Sequence, residues 1–314
     1  MNSYSKILVA LIAFGAVSLL PNKVKAQYDY MFTQYMWNEV AINPAYTGTR
    51  DAVSIVGMYR NQWVGMEGAP VTKNISVNAP VYKQRIGFGI NYIKDEIGVN
   101  STDYFSLSYS YRIPFQNSNL SFGLSTAFAT LKEYYSRVTT TDPNDTEFQS
   151  DSPRANMPNF GFGVYYYTDK YYVGVSMPRL VKNQIEMKDG FKVSNHFDYS
   201  YFHYFLTAGA IFPISEELKF QPSAMFKAVK AAPMELDLTA QMVIRDMFRV
   251  GLGWRSGDAI SFLTTIHVTP QLRIGYSYDY TTSDLAKYSK GTHEICFGYD
   301  FNLRAKKIIS PRIF

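Results

Sequence analysis

The groups in this 314-residue chain whose chemistry could exceed a structural role are four histidines, one cysteine and a few acids beside turn residues. His196, His203, His267 and His293 show no metal-ligand spacing with one another or with Cys296. The pattern puts His196 in a loop, and His203 and His267 on the inner face of strands, where a hydrogen bond is their commoner use. His293 and Glu294 could form an acid–base pair, but neighbouring residues of a strand point to opposite faces and cooperate poorly. Cys296 alternates with Ile295 and Phe297 and reads as a small inward filler, with no cationic neighbour to activate it. A hydrolase would need a serine beside a base and an orienting partner, and no Gly-x-Ser-x-Gly elbow occurs. Asp142-Pro143-Asn144-Asp145 lacks the ligand spacing of a calcium loop. Neither enzyme chemistry nor a cofactor or metal is indicated.

The elements that position these residues are strands. From Leu272 to Tyr280, Leu272, Ile274, Tyr276, Tyr278 and Tyr280 alternate with Arg273, Gly275, Ser277 and Asp279, giving an oily face and a wet one. The same alternation recurs in fourteen segments between residues 52 and 303. Their connections alternate between short turns and mostly longer loops, the pattern of an all-β, up-and-down antiparallel transmembrane barrel. The 26 Tyr and 22 Phe suit interfacial girdles, and no later run of 18 apolar residues offers a spanning helix, so strands must do the crossing. On the wet faces lie Gly87, Gly89 and Asn91, or Ser106, Ser108, Ser110 and Arg112, leaving room for water, a plug or a partner segment. A soluble sandwich would not need the alternation of short and long connections.

Lys6, an apolar run from Ile7 to Leu20 and Val24-Lys25-Ala26 read as a secretory signal over residues 1–26. Without Lys6, Lys23 and Lys25 the formal charge drops from +5 by three cations, so no nucleic-acid footprint is indicated. Residues 27–51 are expected to form a periplasmic lead-in, 52–303 the barrel and 304–314 a periplasmic tail. An even strand number would place both termini in the periplasm.

Three segments break the alternation: Phe32-Thr33-Gln34-Tyr35-Met36-Trp37-Asn38-Glu39 through Ile42-Asn43-Pro44-Ala45-Tyr46-Thr47-Gly48-Thr49-Arg50, read as an irregular or short helical element leading into the barrel; Arg60-Asn61-Gln62-Trp63-Val64-Gly65 with Gly68-Ala69-Pro70; and Gly291-Thr292-His293-Glu294 opening the last strand, followed by a tail ending Ser310-Pro311-Arg312-Ile313-Phe314. In this order they resemble the PorP/SprF family of the Bacteroidetes type IX secretion system, although Thr47 stands where the family often has a smaller residue. The resemblance implies a fourteen-stranded outer-membrane barrel serving secretion or gliding motility. It would contact the lipid bilayer, periplasmic and outer-membrane secretion components, and in some members the C-terminal domain of a secreted cargo. Asn43, Pro44, Tyr46, Gly48, Arg60, Gln62, Trp63, His293, Glu294, Arg312 and Phe314 are the candidate partner-docking residues. For the Asn43–Gly48 turn, wedging the N-terminal segment against the barrel is the alternative. A passive porin for small solutes is the competing function, and conductance separates the two.

Overall fold

The computed structural model describes residues 30–81, 84–138, 150–186, 192–230 and 232–301. The signal, the Asp142–Asp145 stretch, Arg312 and Phe314 lie outside them. Fourteen antiparallel strands close into a barrel. They are β1 (Val53–Asn61), β2 (Val71–Pro80), β3 (Ile86–Ile97), β4 (Asn100–Pro114), β5 (Asn119–Glu133), β6 (Ala155–Tyr167) and β7 (Tyr171–Met177). After a side hairpin of β8 (Val181–Glu186) and β9 (Lys192–Phe197), the wall resumes with β10 (Tyr204–Ala210), and the two-residue β11 (Phe212–Pro213) adds to its neighbour. It ends with β12 (Leu218–Ala228), β13 (Glu235–Ile244), β14 (Phe248–Arg255), β15 (Ala259–His267), β16 (Leu272–Thr281) and β17 (Thr292–Phe301). Each wall strand pairs with its neighbour in sequence, β10 pairs with β12, and β1 pairs with β17 to close the ring.

Alternation decides which side chains meet lipid. Phe88 (53% exposed), Leu124 (59%) and Leu252 (63%) point outward, whereas Ser106, Ser108, Ser110, Arg273, Ser277 and Asp279 point inward and are buried. An apolar exterior round a polar interior is stable only with hydrocarbon outside, and a closed ring leaves no strand edge unpaired there. No helix among the described residues is long and apolar enough to cross a membrane. The chain crosses with strands, and its place is the outer membrane.

Connections 81–85, 115–118, 168–170, 211–217, 245–247 and 268–271 lie at one mouth. Those at the other include 134–154, 178–203 and 282–291, with 98–99 a two-residue exception. The long-loop mouth is therefore the external one. The stretch 179–199 carries the hairpin β8–β9 rather than a plain loop, so His196 lies on a short strand. His203 precedes β10 and is not a wall residue; its Nδ1 lies 3.0 Å from the Tyr201 carbonyl oxygen.

The largest departure from expectation concerns the lead-in. Residues 31–50 do not stand outside the barrel; they run through its lumen and are buried along nearly their whole length. Three short 3-10 turns, Tyr35–Trp37, Glu39–Ala41 and Pro44–Tyr46, fold the segment compactly enough to fill the bore. β1 begins and β17 ends at the short-turn mouth. Yet Tyr30 rests among Tyr104 and Arg179 at the long-loop mouth, with centroid distances of 5.8 and 5.1 Å. The described chain thus starts at the external mouth, contrary to the expectation of a periplasmic lead-in over residues 27–51, while the two ends of the chain lie outside the described residues.

Candidate functional site: the occupied lumen

The site is the contact between the internal segment and the wall. At the long-loop end the two carboxylate oxygens of Glu294 accept the backbone N–H groups of Gln34 (2.8 Å) and Thr33 (2.9 Å). Arg60, which pairs with Glu294 across β1 and β17, donates to that carboxylate (3.0 Å), to Asp279 (2.8 Å) and to the Thr33 hydroxyl (2.6 Å). The Thr33 hydroxyl in turn donates to Asp279 at 2.6 Å. Arg60 is 1% exposed and Glu294 0%, so neither presents anything to a partner outside the barrel. Breaking such a dry pair costs more than forming it gains, because the remaining charge has no water. A second charged group completes this end: Lys227 bridges Glu235 (2.7 Å) and Asp237 (3.1 Å), and Arg255 holds Asp237 (2.6 Å) and Asp258 (3.3 Å).

Midway, Asn38 donates to Asn74 (2.7 Å), and Trp37 stacks under the Arg273 guanidinium, 4.8 Å from ring centroid to carbon. Gln34 reaches Cys296, fully buried in the wall as its alternation predicts. Glu39 belongs to the internal segment and not to the wall. It is 1% exposed, with the Tyr165 and Tyr172 hydroxyls beside its carboxyl and no ion pair to it among the described residues. Burial pushes its carboxyl up to about 8, tempered by the nearby Tyr165 and Tyr172 hydroxyls and by Arg50. The group is held in its neutral, protonated form. In the external loops the opposite applies: the Ser136 hydroxyl and backbone hold Asp151 below the usual carboxylate range, as Ser200 does for Asp198.

Toward the short-turn end the segment becomes a wedge. Asn43 caps the following turn, its Oδ1 accepting from Ala45 N (3.0 Å), and its amide donates to the Val164 carbonyl (3.1 Å). Pro44 fits the first position of that turn, where a missing N–H costs nothing. The backbone here presses on the wall so closely that a Cβ on Gly123 would lie 2.1 Å from Ala45 N. Tyr46 packs edge-on against Tyr165 at 5.5 Å. Gly48, at φ +73°, reverses the chain, and its N–H donates to Asn78 (3.0 Å). Ser110 donates to the Thr47 carbonyl (2.7 Å) and Arg112 to the Gly48 carbonyl. Ion pairs fasten the end: Arg112 with Asp51 (2.8 Å), and Arg50 and Arg273 sharing Asp300 at 2.6 and 3.2 Å.

Of the residues expected to dock partners, Asn43, Pro44, Tyr46, Gly48, Arg60 and Glu294 converge inside the lumen. Asn43, Pro44, Tyr46 and Gly48 lie in the buried segment itself, in the position of the wedge alternative, and Arg60 and Glu294 lie on the wall against it. Gln62 is buried, and Trp63, at φ +45°, turns the first external loop while its N–H donates to Thr292 (3.1 Å). His293 points outward with its Nδ1 2.8 Å from the Tyr276 hydroxyl, on the opposite face from Glu294. Sequence reasoning placed Thr33, Gln34, Asn38 and Glu39 in the irregular lead-in without a role for any of them, and passed over Asp300. The signal available for Asp300, as for Arg273 and Asp279, was a charge on the inward face of a wall strand, which requires a partner.

Comparison with solved structures finds barrels. The Ralstonia pickettii toluene transporter TbuX aligns at TM-score 0.51 with 8% identity, over 83% of this chain and 93% of its own. The Acinetobacter baumannii outer membrane protein Omp33 gives 0.48 with 7% identity, over 80% and 99%. A Pseudomonas aeruginosa FadL homologue gives 0.44 with 11% identity, over 83% and 94%. At such identities the likeness speaks of fold alone. Among curated proteins nothing matches. Residues 24–299, which include the buried wedge, the clamp and every wall strand but the end of the last, match the family described as type IX secretion system membrane protein PorP/SprF, and the chain belongs to that family.

Proposed function

We propose that the protein is a plugged, non-conducting and non-enzymatic barrel. In this reading it gives the type IX apparatus an attachment point in the outer membrane, holding periplasmic secretion or gliding components or the C-terminal domain of a cognate cargo. The observation that carries this reading is the internal segment. Residues 31–50 occupy the bore, and the Asn43–Gly48, Arg60 and Glu294 motifs hold them there rather than line a passage. A solute channel would gain nothing from a buried carboxylate clamp on its own N-terminal chain.

Two measurements test it together. In planar bilayers the full chain should show no steady current, while removal of residues 30–50 should open ohmic conductance. In a mild-detergent pull-down the full chain should retain periplasmic secretion components or one large surface protein. A steady open-pore current from the full chain, with neither kind of partner retained, would establish the passive porin instead.

A further inference from the structure

We propose that the lumen wall is a receptor for a compactly folded peptide segment of a second polypeptide, and that residues 30–50 are its resident occupant. The inference rests on the reading that this barrel holds partner chains, and it names where one would be held.

The wall recognises main chain as well as side chain. Glu294 accepts two consecutive N–H groups, while Ser176, Ser110 and Arg112 donate to the carbonyls of Ile42, Thr47 and Gly48. Any peptide can supply such groups; the side-chain demands run from a hydroxyl at the clamp and an aromatic ring four residues on, met here by Thr33 and Trp37, to amides midway and in the wedge and a cation opposite Asp300, met by Asn38, Asn43 and Arg50. Wall charge gives the recognition a direction. The long-loop end sets Glu235, Asp237, Asp258, Asp279 and Glu294 against Lys227, Arg60 and Arg255, whereas the short-turn end sets Arg112, Arg249 and Arg273 against Asp300. A peptide with its N-terminal part toward the external mouth and a carboxylate near the arginines complements this field. The resident fits incompletely. The Asn38 Oδ1 and the Thr47 hydroxyl are buried without hydrogen-bond partners, as are the wall hydroxyls of Ser121 and Ser277. An occupant that satisfied them would compete well, and the resident is tied to the wall covalently at one end only.

The test uses full-length protein in detergent and a fluorescent synthetic peptide of residues 30–50. Thr33→Pro removes the N–H that Glu294 accepts and the clamp hydroxyl, loosening the resident without altering the wall. This variant should bind the peptide at least tenfold more tightly than the wild type, with one peptide per barrel. Glu294→Ala in that background should lose tenfold or more, and a peptide of reversed sequence should not bind. Should Thr33→Pro fail to assemble, Asn43→Ala loosens the wedge instead and should give the same ordering. Saturating peptide should also release retained secretion components from the loosened variant. Equal binding of forward and reversed peptides, or no gain over the wild type, overturns the receptor. Retention that ignores the peptide overturns its use by a second chain while leaving the attachment role standing.

Discussion

The two ends of the lumen hold the same segment by opposite chemistry. At the long-loop end the wall chiefly accepts: Glu294 and Asp279 take protons from the backbone and hydroxyl of Thr33 and Gln34. At the short-turn end it chiefly donates to the main chain, through Ser176, Ser110 and Arg112 to the carbonyls of Ile42, Thr47 and Gly48, while Asp300 accepts from the segment's Arg50. A peptide strand has both kinds of group along its whole length, so the difference lies in the wall and fixes which way the segment runs. The ends differ in consequence too. The short-turn end is backed by covalent continuity into β1, whereas among the described residues, residues 30–34 are held by non-covalent contacts, the clamp on Thr33 and Gln34 and the rings and cations round Tyr30 to Phe32.

The strongest way to break this contrast is Arg60→Ala. It leaves Asp279 and Glu294 facing each other, 2% and 0% exposed, with no cation between them. Removing one partner of a buried pair costs about 3–5 kcal/mol. The expected result is a lower midpoint in heat-modifiability gels together with the appearance of channel current as residues 30–34 leave the bore. The same test at the other end should be milder. Asp300→Asn strips the carboxylate that Arg50 and Arg273 share, but Asp300 is 15% exposed and water partly compensates. A loss of about 2 kcal/mol in the same gels, with current still absent because the chain tethers the wedge, is expected. Current from Asp300→Asn as large as from Arg60→Ala would mean that the ends are equivalent.

The wall was legible in the sequence and its occupant was not, and the reason is physical. A strand writes its two faces with period two, so inward Ser106, Ser108 and Ser110 could be separated from outward Phe105, Leu107 and Tyr109 before any fold existed. The internal segment consists of three-residue 3-10 turns, too short to write any period, and its anchors are backbone groups that no side-chain pattern reveals. The motif residues could be singled out, since Asn-Pro and Arg-x-Gln-Trp interrupt the alternation. Their role could not be read, because Arg60 meets Glu294 only after β1 pairs with β17, 234 residues apart along the chain. For the same reason the even strand number placed the ends of β1 and β17 correctly and misplaced the chain before them.

Acidity should act on the middle of the segment. Glu39 has a buried carboxyl raised from its ordinary 4.5 to about 8, so the docked segment keeps a proton that a withdrawn one releases. Docking is then strongest below about pH 4.5 and weakens as pH rises toward about 8, by roughly tenfold per pH unit at most for one proton. Above that window both states are ionised and the dependence ends. Limited proteolysis of residues 30–50 across this range, or current against pH in Thr33→Pro, reads the slope. Glu39→Gln should remove it, and a slope of opposite sign would mean that the carboxylate is paired in the docked state.

The smallest effect should come from the residue next to the most important one. His293 and Glu294 are neighbours in the last strand, yet the histidine faces outward to Tyr276 and Tyr278 while the glutamate faces the clamp. His293→Ala gives up one partly exposed hydrogen bond and a ring contact 5.1 Å from Tyr278, and touches neither the segment nor a buried charge. A change within about 1 kcal/mol is expected, with no current and no altered peptide binding. Should His293→Ala open the barrel as Arg60→Ala is expected to, the motif would be working through the outer surface of β16 and β17, and the lumen clamp would not be the reason for it.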